Sequence, residues 1–220
     1  MSSKSSKVQP LSIKDFKGLI NSMPIDQHAF TVNKKSWRKG NHKLIQSILS
    51  NYDYKDEIIV KRSHLRGLSS IENFIILTLM WGYPTKGRGN NINQLLEEEN
   101  FILLQDTLAS YKKENTISNP RLIKNLKTIK SCGISTMSKF LCFLDIKVDG
   151  YQSIILDRQI IRVLGNRTFI ELDSLSHLTY SNGHTNYSNY LKTINDVSCN
   201  IGVTPEKLEM FLFIFGRNLA

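Results

Sequence analysis

The chain has 220 residues, enough for one domain or two small ones sharing a core, and its 40% hydrophobic and 22% charged residues exclude wholesale disorder. No run of 18 apolar residues is present and the Met-Ser-Ser-Lys-Ser-Ser-Lys start lacks an apolar stretch, so neither a membrane helix nor a secretory signal is expected. Lys and Arg number 29 against 19 Asp and Glu, a net +10 that favours a polyanionic partner, usually nucleic acid, with a merely soluble basic protein as the plain alternative.

Residues 1–10 read as a mobile tail rich in Ser and Lys. Ile13, Phe16, Leu19 and Ile20 recur at helical spacing, and the segment stops before Pro24. Residues 24–40 look irregular and basic, and residues 41–52 helical, with Leu44, Ile45, Ile48 and Leu49 in one stripe. Ile58, Ile59 and Val60 are the best strand candidate. Ser69-Ser70-Ile71-Glu72 starts a helix that is apolar nearly all round to Trp81, hence central and buried. A glycine- and cation-rich loop over 85–91 follows, then a helix from about 92 to 112, broken near Asn100.

Asn119-Pro120 opens the next helix, with Asn as cap. The chain turns at 131–135, and a short helix runs from 136 to 144. Asp149-Gly150 is a turn, a further helix spans 157 to 164, and residues 166–183 read as a long polar loop. Helices over 184–199 and 205–215 finish the chain, the last opened by Thr204-Pro205-Glu206 and closed by Gly216. The sum is an all-α protein, residues 11–220 forming a single domain of two interlocked helical lobes.

Residues 119–165 carry the chemistry. Two short helices joined by a glycine-containing turn present backbone N–H groups at the start of the second helix, a phosphate site that ignores base sequence. Gly133, Ser135, Thr136 and Met137 supply those positions, and Lys127, Lys130 and Lys139 add charge nearby. A plain helical hairpin in a core fits the same segment. Asp157 precedes an amphipathic helix, where a helix cap is its ordinary role.

The order of hairpin, apolar spacer and Asp157-x-x-Ile160-x-Arg162-x-Leu164-Gly165 resembles the helix-hairpin-helix superfamily of DNA glycosylases, over about residues 35–220. Leu79-Met80-Trp81-Gly82-Tyr83-Pro84 and Pro205 to Arg217 are similar to bacterial proteins with an 8-oxoguanine-glycosylase-like fold. The resemblance implies a helix-hairpin-helix DNA-binding element, eversion of a damaged or modified base, and hydrolysis of its N-glycosidic bond with Asp157 stabilising the positive sugar. It implies double-stranded DNA as partner, a monomer, no membrane, a cytoplasmic location at the nucleoid, and no cofactor beyond a monovalent cation at the hairpin.

Three departures from the family pattern matter. Ser135 stands where a second glycine is usual, and Cys132 where a proline is. Met137 stands where bifunctional members carry a Schiff-base lysine. Lys139, two residues on, should face elsewhere on the helix, so a monofunctional enzyme using water is expected; a shifted register would return Lys139 as nucleophile and make the enzyme a glycosylase and lyase. Trp81, Tyr83, Phe211 and Phe215 are the candidates to stack on the everted base or wedge into its gap, with core packing as the other reading. Lys86 and Arg88, in the glycine-rich loop, suit DNA contacts. Cys132, Cys142 and Cys199 are too scattered for a disulfide framework or metal cluster, and no two histidines share metal spacing, so no metal site is expected. A non-catalytic DNA-binding module and a helical adaptor for an acidic protein remain open, as does the choice between repair and attack on modified phage DNA.

Overall fold

Apolar residues at helical spacing, set between capping and breaking residues, divide most of the chain into short helices. The computed structural model describes residues 10–40, 42–51, 56–87 and 89–219. Nine residues of the expected tail, 1–9, and the candidate Arg88 lie outside them.

Helix α1 (Lys17–Asn21) follows a 3₁₀ turn at Ile13–Phe16, and α2 (Lys34–Trp37) and α3 (Lys43–Ser50) come after it. Next come α4 (Arg62–Arg66), α5 (Ile71–Gly82), α6 (Asn91–Leu95) and α7 (Glu98–Glu114). The second half holds α8 (Asn119–Thr128), α9 (Ile134–Phe143), α10 (Arg158–Gly165), α11 (Tyr187–Ile201) and α12 (Pro205–Ile214). Helix α5 is the hub. Every residue from Phe74 to Trp81 is buried, and the helix touches α3, α4, α7, α9 and the first sheet. Its start is as expected, with Ser70 Oγ accepting from Asn73 N. Helix α8 is capped one residue earlier than expected, by Ser118 rather than Asn119. None of the helices among the described residues is long and apolar enough to cross a membrane.

The expectation of an all-α chain is corrected: helices dominate, but two small sheets are present. Strand β1 (Ala29–Asn33), in the stretch read as irregular, pairs antiparallel with β2 (Glu57–Lys61), Ala29 opposite Lys61 and Asn33 opposite Glu57. Ile58 and Val60 alternate inward, while their neighbours face out. Pairing with a segment nearly thirty residues away is what makes 29–33 extended, and no local pattern announces it. The second sheet joins β3 (Thr116–Ile117), β4 (Lys147–Val148) and β5 (Tyr151–Gln152). Its hairpin turn is the Asp149-Gly150 pair, both at positive φ, the geometry of a type I′ turn. The loop at 166–183 is also more ordered than its polarity implies, with a 3₁₀ turn at Ile170–Leu175 that buries Leu172 and Leu175.

One charged pair sits inside the apolar core. Arg62 of α4 grips Glu209 of α12 through both terminal nitrogens, with contacts of 3.1, 3.1 and 3.4 Å, and both side chains are fully buried. The guanidinium also lies 5.4 Å from the Trp81 ring and 5.9 Å from the Phe143 ring. Burial pushes the Glu209 carboxyl up to about 7 even with Arg62 against it. Removing the guanidinium strands a carboxyl in the core. Arg62→Met should therefore cost about 3–5 kcal/mol in urea unfolding. Glu209 then holds its proton when folded and releases it on unfolding above the ordinary 4.5, so the loss should grow as the pH of the titration rises from 6 to 9.

Candidate active site

The turn between α8 and α9 is held from outside. Asn100, buried at the start of α7, accepts from Lys130 N at 2.9 Å and donates to Lys130 O at 3.0 Å. Ser131 Oγ donates to Gln94 Oε1 at 2.7 Å. Ser131 takes the left-handed conformation, φ +60°, that tightens the turn. Ser135, standing where a second glycine is usual, needs no glycine geometry: Gly133 is the exposed N-cap of α9, the helix begins at Ile134, and Ser135 lies inside it.

That start sets which face of α9 each side chain takes. Met137 is fully buried in the core, so its side chain reaches no ligand. Lys139 is the residue that returns to the turn. A long helical side chain leans toward the N-terminus and covers the turn before it. Lys139 Nζ accordingly donates to Ser135 O at 2.7 Å and to Ser135 Oγ at 3.2 Å. Its stem lies over Gly82 at the end of α5, where a Cβ would stand 2.9 Å from Lys139 Cδ. The amine is 5.8 Å from the centre of the Tyr83 ring. Burial lowers its pKa, and the charge of Asp157 is the largest influence in the other direction. Lys139 therefore leans back on the first turn of α9, which starts at Ile134, two residues before the expected 136.

Asp157 caps α10. Oδ1 accepts from Gln159 N at 2.9 Å and Ile160 N at 3.0 Å, and Oδ2 takes no hydrogen bond among the described residues. The approach to it is an extended, buried segment, Ile154-Ile155-Leu156, held at three successive residues by hydroxyls. Tyr187 donates to Ile154 O at 2.7 Å and Tyr190 to Ile155 O at 2.9 Å. Ser138 Oγ accepts from Leu156 N at 3.1 Å. Ser138 is the neighbour of Lys139 and Leu156 the neighbour of Asp157, so one hydrogen bond ties the amine's helix to the carboxylate's segment.

Tyr83 closes the group. It is partly buried, its hydroxyl 2.7 Å from Thr136 Oγ1, and burial pushes the phenol up. Thr136 and Ser135 are buried, so only their backbone could meet a phosphate, whereas the Lys130 side chain is exposed. Lys86, at φ +65°, donates to Lys39 O at 3.2 Å, away from Lys139.

The aromatic candidates divide. Trp81 is 3% exposed and packed edge-on against His28, Phe30 and Phe143, so it is core and not a stacking surface. Phe211 is fully buried against Phe16, Phe169 and Phe215, and the same correction applies. Phe215 is partly exposed on that cluster's edge, away from Asp157's contacts. A cavity of about 860 Å³ lined by His42, Ser70, Asn90, Glu97 and Phe101 contains none of Lys139, Asp157 or Tyr83; the chemistry-bearing side chains, not that cavity, define the site. Among the described residues no three His, Cys, Asp or Glu side chains cluster as a metal ion would require.

Sequence reasoning missed Ser138, Tyr187, Tyr190 and Asn100. The two tyrosines stand three residues apart on an amphipathic helix, a spacing that places both on one face. Asn100 carried no signal beyond interrupting a helical pattern. Ser138→Ala would leave the buried Leu156 amide without a partner. It should cost about 1–3 kcal/mol in chemical denaturation, and amide exchange should rise at Leu156 before it rises in α5.

A family model described as "Putative 8-oxoguanine DNA glycosylase OGG-like protein" matches residues 23–213. No curated protein and no solved structure matches the chain.

Proposed function

The chain belongs to the 8-oxoguanine DNA glycosylase OGG-like family, and from that premise we propose that it excises a damaged purine from double-stranded DNA, with Lys139 as nucleophile and Asp157 as the charge that stabilises the sugar. The observation that carries this reading is the buried Lys139 amine, held on Ser135 in the first turn of α9 and within electrostatic reach of Asp157. A neutral amine has two N–H bonds and one lone pair. Lys139 donates two hydrogen bonds, both to Ser135, which leaves the lone pair free to attack. Burial favours that neutral form.

The steps balance without a cofactor. The Nζ lone pair forms a bond to C1′ as the N-glycosidic bond breaks, and its electron pair leaves with the base. The ammonium formed on attack gives up a proton to the departing base. Positive charge that grows on the sugar is met by the Asp157 carboxylate, whose Oδ2 has no other hydrogen bond among the described residues. The ring oxygen then leaves C1′ and takes a proton, giving a protonated imine on Lys139. Loss of a proton from C2′ breaks the C3′–O bond and cuts the strand.

The turn between α8 and α9 then acts as the helix-hairpin-helix element. The exposed Gly133 and the first-turn amides of α9 contact phosphate, assisted by the exposed Lys130 side chain. The net charge of +10 supports an unspecific grip on the duplex. A second reading rests on the depth of Lys139, which is only 4% exposed: the amine holds Ser135, and Asp157 directs water, giving hydrolysis alone.

Duplexes carrying one 8-oxoguanine, uracil or alkylated purine, incubated under single turnover and read with and without hot alkali, separate the two. Strand breaks without alkali, and a borohydride-trapped adduct lost in Lys139→Gln, are expected. Asp157→Asn should slow excision by about 10²- to 10⁴-fold. Breaks that need alkali, with no trapped adduct, overturn Lys139 as nucleophile and favour water. Binding with no excision on any of these bases would overturn the enzyme reading. The pH–rate profile adds a sign. The neutral amine is the reactive form, so the rate should rise with pH along a limb below the usual lysine range, because burial lowers that pKa.

A further inference from the structure

The aromatic side chains expected to meet a base are mostly core, yet the site has one aromatic at its rim. Tyr180 is 61% exposed. Its hydroxyl stands 3.8 Å from the place a Cβ on Gly133 would occupy, so the ring lies beside the turn between α8 and α9. It is also within electrostatic reach of Tyr83 and of Arg158, the residue after Asp157.

The loop that carries Tyr180 is braced. Asn182 Oδ1 accepts from Thr179 N at 2.7 Å, Asn182 N donates to Thr179 Oγ1 at 3.2 Å, and Asn182 Nδ2 donates to His177 O at 3.1 Å. Gly183 N donates to Thr179 O at 3.0 Å, closing a turn around the tyrosine. Gly183 is buried against Ile134 and Leu156: an added Cβ would meet Ile134 Cγ2 at 3.3 Å and Leu156 Cδ2 at 3.6 Å. Ile134 is the first residue of α9, and Leu156 is the residue before Asp157. The loop is therefore seated on both elements that build the site, and it leaves the Tyr180 ring in solvent beside them.

A ring fixed in that way has the properties of a base-stacking platform: a flat apolar face, few rotatable bonds, and a rigid support. Its exposure leaves the ring open to a partner rather than inside a pocket. We propose that Tyr180 is the residue that enters the DNA stack and fills the gap left by the everted nucleotide, which makes it a determinant of eversion and not of the bond-breaking step. The inference rests on the glycosylase reading above, and the exposed Arg158 beside it would hold the phosphate flanking the gap.

The test uses two readouts. The first is the fluorescence of 2-aminopurine placed next to a tetrahydrofuran abasic analogue in a duplex, which reports stacking in the gap and needs no catalysis. Tyr180→Ala should abolish the change the wild-type protein produces, and Tyr180→Phe and Tyr180→Trp should keep it, because the ring and not the hydroxyl acts. The second is borohydride trapping and excision. Tyr180→Ala should slow excision from a base-containing duplex by about ten-fold or more, the scale of one lost base–aromatic stack. It should trap as well as wild type on a preformed abasic site in single-stranded DNA, where nothing has to be everted. Equal loss on both substrates would mean a folding or catalytic defect and would overturn the proposal, as would an unchanged fluorescence signal in Tyr180→Ala. If wild type traps nothing but the fluorescence change still depends on the ring, Lys139 as nucleophile falls and Tyr180 stands.

Discussion

A lysine amine kept inside the protein is the constraint on which the site depends. Taking an ammonium out of water is costly unless it is paired or gives up its proton. Lys139 has no carboxylate in direct contact; its two partners are a carbonyl and a hydroxyl of Ser135, one turn back along its own helix. Those partners suit an amine better than an ammonium, which would keep one N–H unmet. Gly82 gives the stem its room, Tyr83 roofs the head, and the start of α9 at Ile134 sets the direction. A change at any of these moves the amine, because a helix side chain with a fixed origin has few ways to reach the same point.

The carboxylate is held by different means. Asp157 is placed by its backbone: three hydroxyls fasten the extended segment before it, and the amides of α10 hold one of its oxygens. Behind both groups lies the buried Arg62–Glu209 pair, with the partly exposed Arg66–Glu206 pair at the core's edge and Cys142 Sγ 3.4 Å from Glu206. Buried pairs of this kind are weak sources of stability. Their fields reach Lys139 with opposite signs, Glu209 raising and Arg62 lowering its pKa, and burial is the largest influence there.

Where local pattern decides structure, the sequence was legible. The caps at Ser70 and Thr204 and the apolar run of α5 were all readable from a few neighbouring residues, as was the cap role of Asp157. The order of hairpin and Asp157 also pointed to the family. Errors arose where a short distance in sequence had to be converted into a direction in space. Met137 and Lys139 lie two positions apart on α9, about 200° around the helix, and only the packed structure shows that Met137 is core while Lys139 leans back on Ser135. Trp81 looked available because a polar loop follows it, yet partners from β1, α4 and α9 surround it. Tyr180 sat in a stretch whose polarity read as a plain loop, and only the packing of Gly183 on Ile134 and Leu156 brings it to the site. Pairs such as Arg62 and Glu209, separated by 147 positions, leave no trace in a single chain.

The clamp on the turn between α8 and α9 has a thermodynamic consequence. A loop that must order itself around a phosphate loses conformational entropy at the moment of binding, about 1–2 kcal/mol for each backbone unit fixed. Here Asn100 occupies both polar groups of Lys130, and Gln94 holds Ser131, before any ligand arrives. That loss is charged to folding instead. The turn meets its ligand already shaped, so association through it should carry a small entropic penalty and draw its temperature dependence from displaced ions and water rather than from the chain.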